Sequence, residues 1–239
     1  MPILSAQKVT KSYLFKGALS TILSEIDFEL KEGEFVSVVG SSGCGKTTLL
    51  ELLAGITLPD SGRICYLEKE ITGKAGYLGY MPQDDLLFPW LKVIDNVLLP
   101  VRISGKDIHK ERKRAWDLLP VFGLESYAEY LPWQLSGGLR QRVALARTYM
   151  TGSKVWLLDE PLANLDAITS SALQDWLQSI VKSLDLSVLL VTHDIDEALK
   201  LSDRIEVMKD GAFSGGLFVD RSADEHKYKE YKASIHAMI

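Results

Sequence analysis

The chain has 239 residues, 46% of them hydrophobic and 25% charged, with a formal net charge of −5. A chain of this length and mix buries its own core without staples, and its acidic balance argues against a broad nucleic-acid-binding face, whose footprint is basic. Two cysteines, Cys44 and Cys65, speak against a disulfide framework and fit a reducing compartment, and no stretch approaches the roughly 18 to 20 apolar residues of a bilayer-spanning helix.

Met1-Pro2-Ile3-Leu4-Ser5 lacks a basic region leading into an apolar run, so no signal peptide is expected. Ile3 to Tyr13 and Ile22 to Leu30 alternate in part and read as strands. After the turn Lys31-Glu32-Gly33, the run Phe35-Val36-Ser37-Val38-Val39 has the apolar continuity of a strand buried on both faces. Gly40 to Gly45 is a glycine loop, and Lys46 to Ala54 predicts a helix ending at Gly55. Helices are predicted over Val93 to Val101, Asp107 to Leu119, Leu139 to Met150, Ala167 to Leu184 and Ile195 to Leu201, with Pro120 stopping the second. Val155 to Leu158 and Ser187 to Val191 read as further buried strands. Strands alternating with helices predict an α/β fold around a parallel sheet. Asp220 to Ile239 predicts a short surface helix with solvated charges.

Three motifs carry chemistry. Gly40-Ser41-Ser42-Gly43-Cys44-Gly45-Lys46-Thr47 fits G-x-x-x-x-G-K-[ST], a phosphate loop between strand and helix. Its glycines let backbone N–H groups turn inward around phosphate oxygens, and the helix behind adds its positive end. Lys46 is expected to reach the β and γ phosphates, and Thr47 to ligate Mg²⁺. Cys44 reads as a small residue that fits the loop rather than a reactive thiol. Next, Val155-Trp156-Leu157-Leu158-Asp159-Glu160 is a buried strand ending in two carboxylates. Asp159 suits Mg²⁺, directly or through water, and Glu160 suits a general base near the attacking water. Last, Leu135-Ser136-Gly137-Gly138-Leu139-Arg140-Gln141 opens a helix. It reads either as a plain Ser136 cap or as a second anion site serving the nucleotide of a partner copy.

Together these motifs resemble the nucleotide-binding subunit of the ATP-binding-cassette family, in the family's order and over nearly the whole chain. Leu135-Ser136-Gly137-Gly138 resembles the family signature. Gln83, in Tyr80-Met81-Pro82-Gln83-Asp84, resembles the Q-loop. Asp166, in Ala163-Asn164-Leu165-Asp166, resembles the D-loop, and His193, in Val191-Thr192-His193-Asp194, the switch histidine. Tyr13 matches the aromatic that stacks on adenine. Leu139, Asn164 and Pro120 depart from the common pattern without removing a catalytic group.

The resemblance implies a P-loop NTPase fold: a core with a parallel sheet, an N-terminal antiparallel β subdomain and a helical signature subdomain. Residues 1–83 and 153–220 would form the nucleotide-binding core with its β subdomain, 84–152 the helical subdomain, and 221–239 a short tail. It implies ATP and Mg²⁺ as ligands. Tyr13, Gly40, Ser41, Ser42, Gly43, Cys44, Gly45, Lys46, Thr47, Thr48, Gln83 and Asp159 would hold nucleotide, joined by Ser136, Gly137, Gly138 and Asp166. Thr47, Gln83 and Asp159 would hold the metal, and Glu160, His193, Lys46 and Gln83 would serve catalysis. It also implies pairing of two ATP-binding subunits and a membrane permease whose coupling helix docks near Gln83 to Trp90. Location at the cytoplasmic membrane face and delivery by an extracytoplasmic solute-binding protein follow. Within Asp84-Asp85-Leu86-Leu87-Phe88-Pro89-Trp90-Leu91 the apolar residues read either as core or as that docking patch. With Val93-Ile94-Asp95-Asn96-Val97, this segment resembles the nitrate, sulfonate and taurine importer branch, which includes uptake of a pyrimidine precursor of thiamine. An exporter subunit is the nearest rival, and a non-transport cassette a more distant one.

Overall fold

The computed structural model describes residues 1–163 and 165–239. In chain order the elements are β1 (Pro2–Phe15), β2 (Ala18–Lys31), β3 (Phe35–Val39), α1 (Lys46–Leu53), β4 (Ser61–Tyr66), β5 (Lys69–Glu70) and β6 (Gly79–Met81). Then come α2 (Val93–Val97), α3 (Leu99–Ile103), α4 (Ile108–Leu118), α5 (Gly137–Tyr149), β7 (Val155–Asp159), α6 (Ala167–Ser183) and β8 (Ser187–Thr192). The chain finishes with α7 (Ile195–Leu201), β9 (Arg204–Lys209), β10 (Ala212–Phe218) and α8 (Glu225–Met238).

The strands form two sheets. One runs β2-β1-β4-β5 and is antiparallel. The other runs β10-β9-β3-β8-β7-β6, with parallel pairing except for β10 against β9. The α/β class and the antiparallel N-terminal sheet expected from the sequence are therefore present.

The apolar runs are explained by burial on both faces of the second sheet. Along β7, Val155 and Leu157 enter a core shared with α1 and the first sheet, through Leu49, Leu4 and Ile26. Trp156 and Leu158 point the other way, into a core shared with α2 to α6. A strand covered twice cannot alternate polar with apolar, which is why Phe35–Val39, Val155–Leu158 and Ser187–Val191 stand out in the sequence.

Local signals placed several ends correctly. Asp107 caps α4, accepting from His109 N at 2.9 Å, and α4 ends before Pro120. The predicted helix Val93 to Val101 is instead two helices meeting at Leu98. Pro100 has no N–H to continue the first ladder, so the chain restarts with the proline in the first turn of α3. The expected surface helix in the tail is α8, but it is not merely solvated. Its Ile235 is fully buried with Val39, Leu199 and Val207.

Candidate active site

The order β3-β8-β7-β6 aligns four parallel strands whose carboxyl ends lie side by side. The phosphate-loop motif follows β3, His193 follows β8, Glu160 follows β7 and Gln83 follows β6. Loops at that edge of an open parallel sheet are where such folds collect a site. Here they line one cleft of about 690 Å³ with Tyr13, Ile22, Ser42, Gly43, Gly45, Lys46, Thr47, Thr48, Gln83, Glu160 and His193.

The loop is shaped by close packing. A Cβ on Gly40 would stand 2.2 Å from the Met208 carbonyl oxygen of β9, so only glycine fits. Gly45, at the head of α1, has φ +110, and a Cβ there would meet Leu23 Cδ2 at 2.7 Å. No acidic residue occupies the first turn of α1 itself, so the helix's positive end is available to an anion in the loop. Lys46 is buried. Its Nζ donates to the carbonyl oxygens of Gly40 and Ser41, each at 2.9 Å, and thereby spans the loop. Cys44 is buried with its Sγ 3.9 Å from Lys46 Nζ, a packed loop residue as its sequence context suggested.

Beside Thr47, Asp159 ends β7 inside the protein. Burial pushes its carboxyl above the usual range, and the neighbouring charge of Glu160 adds to this, while Thr47 and Lys46 oppose it. Glu160 follows with φ +44, a left-handed conformation costly for a residue with a Cβ. Its N–H donates to Val191 O of β8 at 2.8 Å, which fixes the turn. Its two carboxylate oxygens are divided: Oε2 accepts from Gln83 Nε2 at 3.2 Å, and Oε1 lies 3.1 Å from His193 Nδ1. The donors proposed for a cation are the Thr47 hydroxyl, the Asp159 carboxylate and the Gln83 amide. All are oxygen ligands, and a single carboxylate completed by phosphate oxygens and water is the set a small hard cation such as Mg²⁺ takes.

The remaining predicted residues lie elsewhere. Ser136 caps α5, accepting from Leu139 N at 3.4 Å, and Gly137 and Gly138 follow. They do not line the cleft. A Cβ on Gly137 would touch Leu165 Cδ2 at 3.0 Å, and one on Gly138 would touch Thr169 Cγ2 at 3.0 Å. Asp166 caps α6, accepting from Thr169 N at 3.0 Å and Thr169 Oγ1 at 2.6 Å, and these bonds hold its carboxyl below the usual range. Ser136, Gly137 and Gly138 thus lie beside the start of α6, outside that cleft, whereas Leu165 and Ala167, on either side of Asp166, line a second cavity of about 450 Å³ together with Gln83, Glu160 and His193. Leu139 packs against the helical core, and Asn164 lies outside the described residues.

The apolar residues after Gln83 divide between core and surface. Leu87 is core, whereas Leu86, Phe88 and Trp90 are exposed, with the Phe88 and Trp90 rings edge-on at 5.2 Å. The backbone under them is tied down by α5. Arg147 donates to Leu86 O at 2.8 Å and Asp85 O at 2.6 Å, and Arg140 pairs with Asp85 at 3.0 Å. The buried Asn96 accepts from Phe88 N at 2.8 Å and donates to Leu91 O at 2.9 Å. Sequence reasoning did not single out Arg147, Asn96 or Ile22. Asn96, an amide inside an apolar run, carried a usable signal, since buried amides need partners. Ile22 carried none, because only strand pairing brings it to the cleft.

The profile of the family described as ABC transporter matches residues 23–163. The taurine import ATP-binding protein TauB of Sinorhizobium fredii is 44% identical over 192 residues, covering 80% of this chain and 72% of its own. The formylaminopyrimidine import ATP-binding protein ThiZ of Halalkalibacterium halodurans is 38% identical over 214 residues, covering 89% and 82%. Among solved structures, the dimeric post-hydrolysis state of the ATP-binding cassette MJ0796 bound to ADP and Pi superposes with a TM-score of 0.79 at 30% identity, over 91% of this chain and 99% of that one.

Proposed function

This chain belongs to the ATP-binding-cassette transporter family as an ATP hydrolase, and from that premise we propose that it is the motor subunit of an importer for a small solute. Import is the activity named for TauB and ThiZ, whose solutes differ from each other. The solute is therefore chosen by partner proteins, and nitrate, sulfonates, taurine and a thiamine pyrimidine precursor are the classes to try.

The division of the Glu160 carboxylate between Gln83 and His193, at the rim of the phosphate-loop cleft, carries the mechanistic reading. Tyr13 stacks on adenine. The backbone amides of Gly40 to Gly45, with Ser41, Ser42 and Thr48, cradle the phosphates, and Lys46 turns from its loop carbonyls to the β and γ oxygens. Thr47, Asp159 and Gln83 would hold Mg²⁺, which would supply charge neutralisation for the transferred phosphate. Glu160 takes a proton from the attacking water, and His193 contacts the γ phosphate. Placement and charge stabilisation do most of the work in phosphoryl transfer.

Ser136, Gly137 and Gly138 lie outside the cleft of their own chain. They act on the nucleotide of a second copy arranged head to tail, with Asp166 at the same seam. ATP closes the pair and loss of the γ phosphate opens it, as a ligand biases a two-state equilibrium. No helix among the described residues is long and apolar enough to cross a membrane. The subunit works at the cytoplasmic face, docked on a permease through the exposed Leu86, Phe88 and Trp90 of the helical subdomain, residues 84–152. An extracytoplasmic solute-binding protein supplies that permease.

The test is uptake by the reconstituted complex, using labelled taurine, nitrate and a pyrimidine in separate runs. ATP-dependent accumulation of one of them supports the proposal. A complex that only expels solute when ATP is hydrolysed sinks it.

A further inference from the structure

The turn that carries His193 is closed by a ring of hydrogen bonds beginning and ending on Glu197. Glu197 lies in α7 and is 5% exposed. The Thr192 hydroxyl donates to its Oε2 at 2.5 Å. That same hydroxyl accepts the N–H of Asp194 at 3.0 Å. The Asp194 carboxylate accepts the N–H of Asp196 at 2.8 Å and of Glu197 at 3.2 Å. The path thus returns to the Glu197 main chain, with His193 held between two pinned neighbours.

His193 depends on that ring. Its side chain is 66% exposed and meets Glu160 at 3.1 Å. With most of the imidazole in solvent, its direction is set by the backbone beneath it. Thr192 is buried at the end of β8, paired with Val39 of β3, so one end of the turn is anchored in the sheet. Glu197 couples the other end to α7. Burying a carboxyl is costly, more so because its Oε1 has no hydrogen-bond partner among the described residues. An apolar side chain would bury here without that cost but could not grip the Thr192 hydroxyl.

We infer that Glu197 is a positioning residue for hydrolysis: through the Thr192 hydroxyl it fixes the turn that aims His193 at Glu160 and the cleft. The inference rests on reading His193 as the γ-phosphate contact.

The experiment measures kcat, KM and ATP affinity of the purified full chain, with thermal denaturation as the folding control. The variants are Glu197→Ala, Glu197→Gln, Thr192→Val, Thr192→Ser, His193→Ala and the double variant Glu197→Ala with His193→Ala. A small misplacement of a catalytic group costs on the order of 10²-fold, so Glu197→Ala and Thr192→Val should lose about that much kcat. ATP affinity should move by less than about threefold, because the loss falls on the transition state. Glu197→Gln and Thr192→Ser, which keep the hydrogen bond, should retain most of the turnover. The double variant should be no slower than His193→Ala, since both changes remove one function. Independent, additive losses overturn the inference, and so do wild-type rates in Glu197→Ala and Thr192→Val while His193→Ala is impaired. If Glu197→Ala does not fold, the contrast of Thr192→Val with Thr192→Ser decides, and equal turnover in those two overturns it. Full activity in His193→Ala refutes the role of the histidine itself, and the inference with it.

Discussion

Glu160 Oε1 lies 3.1 Å from His193 Nδ1, although β7 and β8 deliver the two residues from separate stretches of chain. The other carboxylate oxygen is occupied by Gln83, so the group that would take a proton is held from both sides. Glu160→Gln keeps the shape and removes the basicity. Turnover should fall by about 10²- to 10⁴-fold, the range of general-base catalysis, while ATP still binds and a closed dimer accumulates. Phosphate release and size-exclusion chromatography with ATP check both halves, and near-normal turnover would remove Glu160 as the base.

Leu87 and Trp90, three residues apart, should respond in opposite ways. Leu87 belongs to the helical core, and Trp90 is 70% exposed. Leu87→Ala should destabilise the fold by about 2–3 kcal/mol, whereas Trp90→Ala should shift stability by no more than about 0.5 kcal/mol. Trp90→Ala should leave basal ATP hydrolysis intact and reduce solute uptake by the assembled complex. Loss of basal hydrolysis in the tryptophan variant would mean that the ring serves the fold, not the permease.

Asn96 is fully buried, and its amide bridges Phe88, Leu91 and Lys92. Removing it leaves buried backbone groups unpaired. Asn96→Ala should cost about 2 kcal/mol or more in denaturant unfolding, and it should also loosen the Leu86–Trp90 surface. Faster amide exchange confined to residues 86–92 is the expected signature; unchanged exchange there would show that Arg140 and Arg147 suffice.

Glu197 also gives the fold a pH dependence with a defined sign. Burial pushes its carboxyl from 4.5 up to about 7, with Asp194 and Glu160 raising it further and the Thr192 hydroxyl and His193 opposing. Between those values the native chain binds more protons than the unfolded one, so stability falls as pH rises. The contribution is full below 4.5 and is lost on passing about 7. Its size is on the order of 3 kcal/mol. Glu197→Gln should flatten this slope, measured as the wild-type minus variant difference in unfolding free energy across the window. A difference that does not change with pH would show that Glu197 is ionised throughout.

Much of the local structure was legible because it is built from short-range physics. The strand Phe35–Val39, the loop after it and the helix from Lys46 are one continuous piece whose glycines and apolar run allow little else. Helix ends with a side-chain cap, such as Asp107 and Ser136, were also readable. The strands Ser61–Tyr66, Gly79–Met81, Arg204–Lys209 and Ala212–Phe218 were not. They are short, and several mix charges with apolar residues, so their pairing partners, not their own patterns, make them strands.

By itself the sequence determined the chemical vocabulary: a phosphate loop, two acids after a buried strand, a glycine-rich helix start and a histidine after another strand. It did so because each motif is contiguous, and its geometry follows from neighbouring φ and ψ angles. Tertiary structure alone decided that Gln83, Glu160 and His193 converge while Ser136 lies outside their cleft. That outcome depends on the order β3-β8-β7-β6, a set of long-range pairings in which the second strand in space is the last in sequence. It also closed the ring through Glu197 around the turn of His193, since a buried carboxyl becomes a clasp only once the fold has brought a hydroxyl to it.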